Sequence, residues 1–122
     1  MAKVVHFEIN SDDPEKAIKF YKDVFGWNMA QYGGEVDYWM ANTGEETEQG
    51  IDGGIQKRRE PGAGTYIVIN VPSVDEYSKK IEEHGGKVVM PKMPIPGYGW
   101  AAYFTDLDGN KLGIFQEDKD AK

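Results

Sequence analysis

The sequence predicts an α+β fold of two βαβββ modules whose curved sheets together form a cleft. Three observations carry this. A strand, a helix and three further strands can be read along the chain, and then read again in the same order. Both helices open on a capping residue and close on glycine. A shift of 60 residues aligns Ile9 with Ile69, Asn10 with Asn70, Lys19 with Lys79, Gly26 with Gly86, Tyr38 with Tyr98, Ala41 with Ala101, Gly53 with Gly113 and Gln56 with Gln116. About four matches are expected by chance, so the shared order of elements gives the repeat its weight.

In the first module VVHFEIN (4–10) alternates, with Val5, Phe7 and Ile9 on one face and His6, Glu8 and Asn10 on the other. Asp12 with Glu15, and Pro14 near the first helical position, open a helix. It carries Ala17, Ile18, Tyr21, Val24 and Phe25 at helical spacing and stops at Gly26. WNMAQY, a Gly33-Gly34 turn and EVDYWMA read as a hairpin; a polar loop (42–50) then leads to IDGGIQKR, a strand with two glycines at its centre. REPGAG (59–64) is a linker between modules spanning 1–60 and 65–117 of a single domain. In the second module TYIVINV (65–71) is the first strand. Ser73 and Glu76 form a capping box for a helix bearing Val74, Tyr77 and Ile81, stopped at Gly85-Gly86. KVVMPKMPI, YGWAAYFTD and KLGIFQ complete the set, with a turn at Asp108-Gly109. KMPIPGYGW reads either as a lid over the cleft or as a plain connection.

Composition narrows the chemistry. No cysteine is present, which removes disulfides, thiol nucleophiles and cysteine-bound zinc. A net charge of −7 argues against nucleic acid as a partner, and no segment is apolar enough for a signal peptide or a membrane span, so the expected setting is the cytoplasm, away from membranes. The basic run Lys57, Arg58, Arg59 reads as a solvated strand end or loop. His84, near a helix C-terminus, sits where a cation is favoured.

HFEINSDDPEKAIKFYKDVFGW in the first half, and INVPSVDEYSKKIEEHGG with MPKMPIPGYGWAAYFTDLDGNKLGIFQ in the second, resemble the vicinal oxygen chelate superfamily. That superfamily includes glyoxalase I, bleomycin-resistance proteins and extradiol dioxygenases. The likeness covers nearly the whole chain, and is strongest to a short glyoxalase-like subgroup of unassigned chemistry. The resemblance implies four metal-ligand positions, in the first and last strands of each module. They fall on His6, Gly53, Tyr66 and Gly113, so only one carries a customary donor, and no metal or other cofactor is expected, with a divalent ion as the disfavoured alternative.

His6 and Glu8 are the candidate catalytic residues. His6 reads as a weak metal ligand or a hydrogen-bonded cleft histidine; Glu8 as a rescuing carboxylate, a general base or the partner of a basic side chain. Asn10, Asn70 and Tyr66 are candidate contacts to a ligand's polar groups, and Tyr38, Tyr98 and Trp100 are candidate cleft walls from an aromatic set of which alternation puts half on the cleft and half on the helix side, without fixing which half. Gly53 and Gly113, lacking side chains, leave room for backbone to approach a ligand from both halves. Asp52 adjoins Gly53 but falls on the opposite face of that strand.

Three functions are compatible with these residues. The first is a metal-independent protein that binds a small organic molecule in an aromatic cleft, as bleomycin-resistance proteins are understood to do. The second is a metal-dependent lyase or isomerase of the lactoylglutathione lyase type, and the third, ranked last for want of a second histidine, is an extradiol dioxygenase. The resemblance also implies a homodimer.

Overall fold

The computed structural model describes residues 2–31 and 37–122, so the predicted Gly33-Gly34 turn lies outside the described residues. Its elements are β1 (Val4–Ser11), α1 (Pro14–Phe25), β2 (Asn28–Gln31), β3 (Tyr38–Asn42), β4 (Gly53–Lys57), β5 (Thr65–Asn70), α2 (Val74–Glu83), β6 (Lys87–Ile95), β7 (Gly99–Thr105) and β8 (Lys111–Glu117). This is βαβββ twice. The chain divides into two compact units, His6–Tyr66 and Met1–Val5 with Ile67–Lys122. The N-terminal residues join the later unit through a bond that Asn70 N–H donates to Lys3 O at 2.8 Å, a grouping the linear repeat does not show.

Within the unit His6–Tyr66, β1 runs parallel to β4, β4 antiparallel to β3, and β3 antiparallel to β2. The other unit repeats the scheme, with β5 parallel to β8, β8 antiparallel to β7, and β7 antiparallel to β6. Parallel pairing of first and last strands requires a crossover, and each helix lies in it.

Asp13 caps α1, its Oδ1 accepting from Lys16 N–H at 3.3 Å with Pro14 next in line, so the cap is one residue later than the predicted Asp12. Gly26 ends the helix at φ 74° and donates to Lys22 O at 2.9 Å. Ala17, Ile18 and Tyr21 are half-buried as their spacing requires. The predicted apolar stripe nevertheless fails in the last turn, where Val24 and Phe25 are 57% and 61% exposed. Trp27 lies just beyond this turn. Its indole stacks on Tyr21 at 4.9 Å and 9°, and meets Phe25 at 5.9 Å and Phe7 at 5.7 Å, so these rings cluster around it.

In the second unit the predicted capping residue Ser73 accepts from Glu76 N–H at 3.1 Å. Tyr77 and Ile81 of α2 pack on a core of Val71, Val74, Ala102 and Ile114, with Ile69, Trp100 and Phe104 beside them. Strand β6 carries Pro91 and Pro94 and shifts register twice against β7, as expected where proline removes ladder donors. Met93, Pro94 and Ile95 still pair with Ala101, Trp100 and Gly99. The KMPI segment is therefore strand, which excludes the lid reading and leaves only a short turn before β7.

Candidate functional site

Strand alternation turns His6, Glu8 and Asn10 onto the face of β1 away from Phe7 and the Trp27 cluster. This is a buried polar face, with Glu8 7% and Asn10 8% exposed. On β4 the partners are Gly54 opposite Glu8 and Gln56 opposite Asn10, and on β3 Met40 lies opposite Gly54. No side chain rises from Gly54. The phenol of Tyr38 lies across the gap, and a β-carbon at Gly54 would fall inside that ring's hydroxyl end.

Tyr38 Oη lies 2.7 Å from His6 Nε2 and donates to Glu8 Oε2 at 3.2 Å. A phenol has one proton, and a carboxylate only accepts. With that proton directed to Glu8, His6 Nε2–H is the donor to Tyr38, and Nδ1 is the imidazole's acceptor nitrogen. Burial lowers the His6 pKa below its ordinary 6.5, opposed by the charges of Glu8 and Asp52. The phenol pKa is pushed up, by burial first and then by the charge and hydrogen bond of Glu8. At neutral pH the group is therefore a neutral imidazole and a neutral phenol arranged in series on a carboxylate. It can hold or move a proton along one line.

Other predicted residues fall elsewhere. Asn10 is spent internally, with Nδ2 donating to Gly64 O at 2.6 Å, Oδ1 accepting from Gln56 Nε2 at 3.0 Å, and its carbonyl accepting from Arg58 at 3.2 Å. Its amide clamps strands and linker together, with both Nδ2 and Oδ1 already engaged within the unit. Gly53 faces the helix side, where a β-carbon would meet the Phe7 ring at 2.5 to 2.6 Å. Gly113 is covered too, with Tyr103 at 3.1 Å and Val68 at 3.3 Å from the same position. The predicted room over these two glycines is already filled by side chains. Asp52 corrects in the other direction, because β4 alternation gives it the parity of Gly54 and its charge reaches His6. It also binds Thr43, accepting from the backbone N–H at 2.9 Å.

Tyr66, the last residue of the unit His6–Tyr66, is buried at the start of β5, and Asn70 of the other unit is half-buried at its end. Trp100 is no cleft wall. It packs against the α2 core, donates from Nε1 to Asp118 at 2.9 Å and lies under Lys92 Nζ at 4.6 Å. Tyr98 stands in the turn before β7, 60% exposed, with no geometric likeness to Tyr38. Two recesses, of about 210 and 460 Å³, adjoin the β3–β4 loop and are lined by Glu45, Glu46 and Glu48; neither includes His6, Glu8 or Tyr38.

Sequence reasoning chose the wrong glycine of the pair. In space the mate of Gly113, which lies opposite Val68, is Gly54, which lies opposite Glu8, a sequence offset of 59 where β1 and β5 follow 60. The signal was the adjacent glycine itself.

Of the four positions implied by resemblance, only His6 carries an imidazole or carboxylate, so the residues present do not fit the superfamily's metal-ligand set. Tyr38 engages His6 Nε2, Tyr66 offers a phenol, and Gly53 and Gly113 supply no donor side chain. Among the described residues no group of three or more His, Asp or Glu side chains is placed to hold an ion.

Residues 3–114 match the model of the Glyoxalase/Bleomycin resistance protein/Dioxygenase superfamily. A Synechocystis protein named "Probable lactoylglutathione lyase" is 27% identical, over 93% of this chain and 94% of its own length. A "Lactoylglutathione lyase" of Haemophilus influenzae is also 27% identical, over 98% and 96%. Among solved structures, a glyoxalase/bleomycin resistance protein/dioxygenase superfamily member from Vibrio splendidus superposes with a TM-score of 0.67 at 16% identity, covering 96% of this chain and 100% of its own. Methylmalonyl-CoA epimerase from Mycobacterium tuberculosis gives 0.67 at 12%, covering 94% and 87%. At these identities the structural likeness establishes the fold.

Proposed function

Because the chain belongs to the Glyoxalase/Bleomycin resistance protein/Dioxygenase superfamily, we propose that it binds a small organic molecule through the polar face of the unit His6–Tyr66, without a divalent metal. One observation carries this reading: the phenol of Tyr38, laid over Gly54, joins His6 Nε2 to the Glu8 carboxylate. A histidine held this way is oriented as a hydrogen-bonding group, and the nitrogen on the phenol is no longer free for an ion. His6 meets the ligand's polar group, and Tyr38 ties it to Glu8. In this reading the protein works in the cytoplasm as a homodimer, and the exposed Phe20, Val24 and Phe25 of α1 give a second copy an apolar strip to cover.

A metal-dependent lyase is the second reading, favoured by the two relatives that carry the lactoylglutathione lyase name. Calorimetric titration with nickel, zinc, manganese and iron(II), joined to elemental analysis of the purified protein, separates the two. The metal-free reading expects no stoichiometric, tightly held ion, and a small molecule that co-purifies in native mass spectrometry and is lost from His6→Ala. One equivalent of metal that His6→Ala removes would overturn it. Sedimentation as a 13.7 kDa monomer at micromolar concentration would overturn the dimer.

A further inference from the structure

The direction of the hydrogen bonds in this site selects among ligands. Glu8 accepts from the phenol of Tyr38, the phenol oxygen accepts from His6 Nε2, and the outer end of the line is therefore an acceptor, Nδ1. Nδ1 has no partner among the described residues, and His6 is only partly buried. The surroundings are negative. Glu8 is buried beside it and the chain carries a net charge of −7. The basic side chains at the end of β4 are committed: Lys57 Nζ donates to Asp12 O, and Arg58 pairs with Asp12 at 3.2 Å and with Asn10 O. Neither of these two cations is left to neutralise an anionic ligand, and Arg59, the third of the run, is exposed beyond the end of the strand. Met40, on the same face and 43% exposed, adds apolar surface.

Resting on the metal-free binding reading above, the geometry points to a ligand class: an uncharged small molecule with an apolar body that donates one O–H or N–H hydrogen bond to His6 Nδ1. Carboxylates and phosphates are disfavoured by the same arrangement, because each would bring acceptors against an acceptor, and a negative charge toward Glu8. Tyr38 is a positioning residue. It fixes which imidazole nitrogen carries the proton, and so which nitrogen meets the ligand.

Three probes of one shape and different polarity test this: 4-chlorophenol, uncharged with a donor; 4-chloroanisole, uncharged without one; and 4-chlorobenzoate, an anion. Titrations are followed at neutral pH by the His6 imidazole resonances of nitrogen-15-labelled protein. The free protein is expected to show His6 as the Nε2–H tautomer. The phenol is expected to bind about tenfold more tightly than the ether, the value of one modest hydrogen bond, and to shift Nδ1; the benzoate is expected to bind more weakly than either. His6→Ala should bring phenol and ether to equal affinity. Tyr38→Phe should narrow the gap between them and admit the second tautomer, which loss of packing alone would not do.

An Nδ1–H tautomer in the free protein, equal binding of phenol and ether, tightest binding of the benzoate, or no binding of any probe would each overturn the ligand class. The tautomer is read on the wild-type chain, so an unfolded variant does not shelter the inference. A tightly held metal would instead overturn the reading beneath it, whatever the probes do.

Discussion

The two units use one backbone device for different ends. In each, a glycine on the last strand lies opposite the middle residue of the first strand, and a tyrosine ring fills the space above it. Tyr38 lies over Gly54 opposite Glu8, and Tyr103 over Gly113 opposite Val68. The first ring brings a hydroxyl between His6 and Glu8. The second packs beside Val68, with Lys111 Nζ 5.6 Å from its ring centre. Glycine there lets a ring approach the strand closely, and the residue opposite, Glu8 in one case and Val68 in the other, sets what that ring meets.

Alanine at these glycines tests the comparison. Gly53→Ala is expected to cost most, about 2 to 3 kcal/mol in urea denaturation, because the new methyl meets the middle of the Phe7 ring in a packed interior. Gly54→Ala should cost about 2 kcal/mol by driving the phenol off His6 and Glu8, and should scramble the His6 tautomer as well. Gly113→Ala should cost less than about 1 kcal/mol, because Tyr103 and Val68 need give only a few tenths of an ångström. An equal loss at Gly54 and Gly113 would show that the phenol contributes packing and nothing more. Tyr38→Phe keeps the ring and removes one donor to Glu8, for an expected loss of about 1 kcal/mol.

The smallest effect is the pH dependence. Burial holds the folded pKa of His6 below 6.5, so the unfolded chain takes up that proton first as pH falls. The His6 contribution is complete above pH 6.5 and is lost as pH drops from there through the folded pKa. His6→Gln should flatten this part of the curve of melting temperature against pH. The depressed carboxyl pKa values of Asp106 and Asp118 act only lower, with stability lost as pH falls below 3.8. An unchanged slope in His6→Gln would contradict the assignment.

Much of the fold was legible because its signals are local. Caps, glycine stops and strand alternation act over a few residues, and they located both helices and the polar face of His6, Glu8 and Asn10. The pairing of β1 with β4 is not local. A linear 60-residue register carries no information about it, and a slip of one residue exchanged Gly54 for Gly53 and reversed the face of Asp52. Trp100 was misplaced for the same reason, since aromatic alternation says that a side is chosen and not which one. In α1 the helical spacing held for Ala17, Ile18 and Tyr21 but not for Val24 and Phe25, and the ring that meets Tyr21 and Phe25, Trp27, lies beyond the helix.

Asn10 has a consequence for the architecture as a whole. Gly64 O receives both its backbone N–H, at 3.3 Å, and its side-chain Nδ2, so the chain leaves and rejoins one amide across a separation of 54 residues. An excursion closed at its base has paired ends, and closure entropy grows only slowly with the length between them. The excursion is thus tied at its base by two donors of one residue, and the cost of holding its ends together falls on Asn10.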